Sequence, residues 1–236
     1  RVDRRQRQMC IRDRYKKALG ALDEDKSYST EEALELIMKQ PKRKFQETVD
    51  ISVWLGIDPK KSEQNIRGSL TLPNSLGKEV KVAAFVDSDK ADEAKKGGAD
   101  FIGLDDLIEK YKDGNIDFDV AITTPDQMKN VSKLAKVLGP KGLMPSPKSG
   151  TVTENIDKAV KEIKHGQVRF KAEQEGIVQG TIANVSMKKA QLKENFDSFI
   201  NELKRLKPAS SKGIYFKSVF LSTTMGPGYR IDTSQF

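Results

Sequence analysis

The chain has 236 residues, 36% apolar and 32% charged, with 42 lysines and arginines against 34 aspartates and glutamates for a formal charge of +8. That length accommodates one large or two ordinary domains, each with a core of its own, and the composition excludes a wholly disordered chain. No apolar run approaches the roughly 20 residues that span a bilayer, and a single cysteine, Cys10, with a single histidine, His165, excludes a disulfide framework, a cysteine-cluster metal site and serine–histidine–aspartate chemistry.

Residues 1–14, "RVDRRQRQMCIRDR", hold six arginines and two aspartates, a net +4 and half of the excess. The stretch lacks the apolar core of a secretory signal. A basic arm, a transit peptide and sequence foreign to the mature domain remain as readings. The last two are favoured because nothing in it is built to pack, so it is expected to lie outside the fold.

The first regular element is a helix. "SYSTEEALELIMKQP" carries a capping box, Ser29-x-x-Glu32, an apolar stripe of Ala33, Leu34, Ile37 and Met38, and a stop at Pro41. In "FQETVDISVWLGI" the residues Phe45, Val49, Ile51, Val53, Leu55 and Ile57 share one parity, which predicts a strand with one buried face. On that pattern Phe45 reads as core.

From Lys78 short strands alternate with helices, the grammar of a layered α/β unit around a parallel sheet. Strands are expected at "EVKVAAFV", "ADFIG" and "FDVAITT", and helices at "DKADEAKKGG" and "LDDLIEKYKDG". "TPDQMKNVSKLAKVLG" reads as one further helix, with Thr124 as N-cap, Pro125 at the first helical position, Gln127 completing a capping box and Gly139 closing it. A loop rich in glycine, proline and lysine follows, "LGPKGLMPSPKSGTVT", and then a helix "NIDKAVKEIKHG" whose histidine fits a C-terminal turn favoured by the helix dipole.

Within that loop "GLMPSPKS" nearly matches the phosphate-binding pattern G-x-x-x-x-G-K-[ST]. Pro147 stands where the second glycine belongs, and it has no N–H to offer a phosphate. The loop also follows a helix rather than a strand, and no G-x-G-x-x-G follows the strand at Val80–Val86. An enzyme that handles a nucleotide is therefore the weaker class of function, and no cofactor or metal is implied.

After Gly166 the pattern returns to strand, turn, strand, with "QVRFKAE", a turn at Gln174–Gly176 and "GIVQGTIANV". A long amphipathic helix over Ser186–Lys207 turns Leu192, Phe196, Phe199, Ile200, Leu203 and Leu206 inward, and "GIYFKSVFLSTT" is the last strand expected. The two ends share an α+β style and the middle is α/β. The simplest layout is a discontinuous α+β domain from residues 15–75 and 167–236 with an inserted three-layer, Rossmann-like α/β domain at 76–166. Charge follows the same division. Val86–Asp119 carries eleven acidic residues and five lysines, whereas Asn201–Phe236 carries six basic and two acidic. A polyanion suits the ends better than the middle.

Three segments in order, "KFQETVDISVWLGIDPKKSEQNIRGSLTLPNSLGK", "LGPKGLMPSPKSGTVT" and "STTMGPG", resemble the ribosomal protein L-one family in its bacterial form, across Arg14 to about Asp232. The resemblance implies a cytoplasmic protein of the mobile stalk of the large ribosomal subunit, with an organellar origin left open, monomeric when free and without a membrane role. It implies binding to large-subunit rRNA by the terminal domain, help in moving and releasing exit-site tRNA, and repression of its own operon mRNA. Carried over by position, the RNA contacts are Lys44, Phe45 and Thr48 before and at the head of the first strand, and Thr223, Thr224, Met225 and Gly226 after the last, with Arg169 and Lys171 on the strand opening at Gln167. The family's hairpin turn carries Asn-Asp-Lys where this chain has "AEQE", so no contact is carried to it.

Physical chemistry suits these positions. Lys42, Arg43 and Lys44 stand beside an aromatic ring, and a turn of hydroxyls and open N–H groups can reach phosphates and 2′-hydroxyls. Lys60, Lys61 and Arg67 read better as a solvated face. In the glycine–proline loop Lys141 and Lys148 are candidates for a tRNA or rRNA backbone. All of this requires segments near residues 45 and 225 to form one face.

Overall fold

The computed structural model describes residues 15–16, 18–20, 26–40, 45–59, 61–77, 80–111, 116–211 and 213–236. In chain order the elements are α1 Thr30–Lys39, β1 Thr48–Leu55, β2 Arg67–Thr71, β3 Val82–Phe85, α2 Ser88–Gly97, β4 Phe101–Gly103, α3 Asp105–Tyr111, β5 Val120–Thr123, α4 Met128–Val131, α5 Ala135–Leu138, α6 Ile156–Lys164, β6 Gln167–Lys171, β7 Ile177–Asn184, α7 Lys189–Arg205, β8 Phe216–Thr223 and β9 Gly228–Ile231. They fall into two compact units. The first contains the described residues up to Ile66 together with Leu72–Leu76 and Phe170–Phe236, and the second contains Arg67–Thr71 and Gly77–Arg169. Residues 1–14 lie outside the described residues.

The first unit is a four-stranded sheet of order β7-β1-β8-β9, antiparallel throughout. Its alternation is the one the sequence implies: Val49, Ile51, Val53 and Leu55 are buried, and their neighbours on β1 are not. The buried face meets α1 through Ala33, Leu34 and Ile37 and α7 through Leu192, Phe196, Phe199, Ile200 and Leu203. Each of the leucine, isoleucine and phenylalanine side chains contributes about 1.5–3 kcal/mol by leaving water. The capping box of α1 is formed, Ser29 Oγ accepting from the Glu32 N–H at 3.3 Å and Glu32 from the Ser29 N–H at 3.2 Å.

Asn195 is a fully buried amide on the inner side of α7, and it is satisfied completely. It accepts from the Asn74 N–H at 3.1 Å and donates to the carbonyls of Asn74 at 3.1 Å and Ile182 at 2.8 Å. This pins the short segment Leu72–Leu76 into the first unit, between two passages of the chain into the second.

One strand was not expected from the sequence. β9 pairs Ile231 with Val219 and Gly228 with Ser222, burying Tyr229 and Ile231, so β8 is not the last strand. Helix α7 also begins at Lys189 rather than Ser186.

The second unit has the three layers expected. Its parallel sheet has the order β4-β3-β5, and every residue of β3 and β5 is buried, as a sheet covered on both faces requires. Val82, Ala84, Val120 and Ile122 pack with Ala94 of α2 and with Ile156, Val160 and Ile163 of α6. Ala83, Phe85 and Ala121 pack on the other face with Leu107, Ile108 and Tyr111 of α3 and with Val131, Leu134 and Leu138.

The single helix expected over 124–138 is instead α4, a 3-10 turn at Ser132–Leu134, and α5. Its capping box does not form, because Gln127 is used elsewhere: its Nε2 donates to Asp87 at 2.6 Å and its Oε1 accepts from Asn130 at 2.7 Å. Ser132 Oγ donates to the Met128 carbonyl at 2.7 Å, the i−4 competition that loosens a helix. Both departures come from side-chain hydrogen bonds that periodicity does not register.

The glycine–proline loop closes on itself. Gly142 and Gly150 take positive φ of 70° and 67°, and Pro147 opens a 3-10 turn over Pro147–Ser149. Thr151, fully buried, accepts from the Ser146 N–H at 2.9 Å, donates to the Ser146 carbonyl at 3.2 Å and lies 3.1 Å from Ser149 Oγ. Its carbonyl accepts from the Thr123 N–H at 3.0 Å, so the loop returns to the edge of β5.

Candidate nucleic-acid interface

The first unit brings the two ends of the chain to one place because β1 and β8 are antiparallel neighbours. Val49 pairs with Thr223, so the head of β1 and the end of β8 coincide. Thr48 and Thr224, 176 residues apart, are clasped through both backbone and side chain. The Thr48 N–H donates to Thr224 Oγ1 at 3.1 Å, the Thr224 N–H donates to the Thr48 carbonyl at 3.2 Å, and the two hydroxyls lie 3.0 Å apart. Asp50 completes the patch, accepting from Thr48 Oγ1 at 3.3 Å and from Thr181 Oγ1 at 2.6 Å.

Beneath the clasp is a layer that sequence reasoning missed. Glu47 is 5% exposed and accepts from the Met225 N–H at 3.2 Å, tying the two segments together a second time. Gln40 Oε1 accepts from Thr223 Oγ1 at 3.2 Å, and its Nε2 donates to the Tyr229 hydroxyl at 2.8 Å. Burial pushes the Tyr229 hydroxyl pKa up, so it stays protonated there. A signal for Glu47 does exist in the sequence. It stands one residue before β1 with the parity of Val49 and Ile51, the last position back along the chain that this parity buries, and a buried carboxylate needs a designated partner.

Gly226 closes the turn, its N–H donating to the Thr223 carbonyl at 3.1 Å. A Cβ there would collide with Thr223 Oγ1 and come within 2.5 Å of Gln40 Oε1, so any larger residue must push these side chains aside. Above this frame Thr224 is exposed, and Met225 and Phe45 are 46% and 54% exposed. Phe45 is therefore not core. Regular strand begins only at Thr48, so the parity that holds from Val49 to Leu55 does not extend back to it.

The other candidates are dispersed. Lys44 lies outside the described residues. Lys171 is exposed on β6. Arg169, on the same strand, donates to the Asp119 carbonyl at 3.2 Å within the second unit, and burial draws its pKa down. Thr223 is 3% exposed, so it supports the turn rather than presenting a group to solvent. Lys141 is exposed on the glycine–proline loop, and Lys148 belongs to its 3-10 turn.

Comparison with known proteins decides the family. The model of the ribosomal protein L1p/L10e family matches residues 36–227. The chain belongs to that family. The large ribosomal subunit protein uL1 of Cellvibrio japonicus is 52% identical to it over 213 residues, covering 90% of this chain and 92% of its own length. The proteins of the same name from Chromohalobacter salexigens and Chlamydia caviae are 47% and 48% identical, each covering 94% of its own length. The L1p/L10e family is structural rather than enzymatic. Its match spans the clasp on both sides, from Gln40, Glu47 and Thr48 to Thr223–Gly226. Among the described residues no helix is long and apolar enough to cross a membrane.

Proposed function

We propose that the chain is a constituent of the large ribosomal subunit in the cytoplasm and binds large-subunit rRNA through the end of the sheet where Thr48 meets Thr224. The observation that carries this reading is the clasp itself, which holds an exposed hydroxyl and an exposed thioether on a buried frame, with the exposed Phe45 ring three residues before Thr48. Thr224 and Met225 face the base edges and riboses of a shallow groove, and Phe45 packs on a ribose or base. Lys44 and Lys171 supply phosphate contacts, and Arg169, one of whose guanidinium nitrogens is taken by the Asp119 carbonyl, reaches phosphate through its remaining donors.

The second unit, taken as an inserted domain spanning 76–166, carries the mobile part of the function. On this reading Lys141 and Lys148 meet the backbone of the exit-site tRNA and assist its release, and the terminal domain at 15–75 and 167–236 stays on rRNA. The same face represses the chain's own operon mRNA by binding a similar fold.

The test is equilibrium binding to a stalk rRNA fragment and to a scrambled RNA of equal length. Thr224→Val and Met225→Ala should each weaken binding to the rRNA fragment by about 1–3 kcal/mol, and Lys44→Gln should mainly lower the salt slope. Equal affinity of the intact chain for both RNAs would overturn the reading. For the second unit, K141A/K148A should slow tRNA departure from assembled ribosomes, and unchanged kinetics would remove that role.

A further inference from the structure

The outer face of the four-stranded sheet carries a second set of groups that the clasp does not use. β1 and β8 turn one face toward α1 and α7, and the opposite face presents Trp54 at 45% and Phe220 at 39% exposure. Register places these groups without ambiguity. Gln179, Ser52, Phe220 and Arg230 form one row across all four strands, and Trp54 lies two residues along β1 from Ser52. Trp54 and Phe220 are therefore diagonal neighbours, close enough for adjacent bases to use both rings.

Two cations flank the rings. Lys217 Nζ stands 4.7 Å from the centroid of the Trp54 ring, and Arg230 is exposed beside Phe220. Neither is paired with a carboxylate among the described residues. Asp50, two residues before Ser52 on the same face, is occupied by Thr48 and Thr181, and Asp232, two residues beyond Arg230, by Ser234. The two rings also do not stack on each other, in contrast to the edge-to-face pairs elsewhere in this unit such as Phe170 with Phe199. Large aromatic groups exposed on a sheet, with cations beside Phe220 and over the Trp54 ring that no carboxylate neutralises, match a strand of unpaired nucleotides: bases for the rings once Lys217 swings to a phosphate, phosphates for the cations.

The geometry points to this outer face as a binding platform for single-stranded RNA, with bases stacking on Trp54 and Phe220 and phosphates held by Lys217 and Arg230. The platform is continuous with the clasp, because Thr48 and Asp50 precede Ser52 and Trp54 on the same side of β1. It rests on the reading that RNA is the partner, and adds to it an unpaired segment running from the clasp along the sheet. Charge argues against a second copy of the chain as occupant, since two such faces would bring Lys217 and Arg230 of each against those of the other.

Trp54 is the single tryptophan of the chain, so it reports on its own site. Titrating the full chain with oligouridine should quench its fluorescence. Phe220→Ala should weaken that binding about tenfold, and K217Q/R230Q should lower the slope of log affinity against log salt by about 1.4. Both charged positions are exposed, so this variant tests the platform even if loss of Phe220 disturbs folding. Thr224→Val should leave the quench intact while weakening the stalk rRNA fragment, which separates failure of the platform from failure of the clasp. Oligouridine binding without a quench, or a quench that neither variant changes, would overturn the proposal. So would concentration-dependent self-association that Phe220→Ala abolishes while oligouridine leaves Trp54 unchanged.

Discussion

Two stretches of this chain are built from the same small vocabulary and do opposite things. "STTMGPG" at Ser222–Gly228 and "SPKSGTVT" at Ser146–Thr153 both combine hydroxyls, glycine and proline. In the second the hydroxyls of Ser149 and Thr151 meet each other and the backbone of Ser146, and Thr151 is fully buried. In the first, Thr223 is consumed by Gln40 while Thr224 remains at the surface, held to Thr48 on the neighbouring strand. Composition does not distinguish a scaffold from a binding edge. What distinguishes them is where the donors and acceptors of each loop go.

The largest expected effect tests the scaffold. Thr151→Val keeps the shape and removes the hydroxyl, leaving the Ser146 N–H without its acceptor, while the Ser146 carbonyl keeps the Ser149 N–H at 3.1 Å and the Ser149 hydroxyl at 3.0 Å. That should lower unfolding stability by about 3 kcal/mol in a denaturant titration, with Thr151→Ser restoring most of it. The matching change at the clasp, Thr224→Val, should cost little stability because the side chain is exposed, and its effect should appear in RNA affinity. A large stability loss at Thr224 would break the contrast.

Glycine sharpens it next. At Gly226 the backbone is not left-handed, and the obstacle is space, since a Cβ meets Thr223 and Gln40. Gly226→Ala should displace Gln40 and lower affinity for the rRNA fragment about tenfold. At Gly142 nothing lies within 4 Å of a Cβ, and the obstacle is the φ of 70°. Gly142→Ala should then cost about 1–2 kcal/mol of stability and leave RNA affinity unchanged.

These contrasts show what was legible in the sequence. Elements whose information is local were readable: the Ser29–Glu32 box, the parity of Val49 to Leu55, and the alternation that gives the three layers around β3. The family resemblance supplied the segments of the clasp, and its geometry was not readable because Thr48 and Thr224 are joined across 176 residues. β9 escaped because it buries only Tyr229 and Ile231, too few for a period to show. The unbroken helix over 124–138 failed because Gln127 bonds Asp87, 40 residues away. Phe45 was misplaced by extending a strand's parity beyond the strand.

The smallest effect separates the two regions by pH. The scaffold loop's knot contains only hydroxyls and backbone, so its contribution should not vary between pH 3 and 9. The unit that carries the clasp is braced across α1 and α7 by Lys193–Glu31 at 2.6 Å and Lys189–Glu35 at 2.7 Å. Hydrogen bonding to Lys193 and Lys189 draws the Glu31 and Glu35 carboxyls below their ordinary 4.5, and the bond to Glu31 raises Lys193 above its ordinary 10.5. A depressed carboxyl stabilises the fold fully above its unfolded value and loses that contribution as pH falls through the folded value. The raised Lys193 contributes fully below 10.5 and loses it as pH rises through its folded value. The brace therefore holds across neutral pH and weakens below 4.5. These pairs lie at the solvent-facing surface, so the acid loss should be slight and should vanish in high salt. Thermal unfolding of E31Q/E35Q against the parent should show a small gap at pH 7 that closes by pH 3, whereas the gap for Thr151→Val should stay constant over the same range.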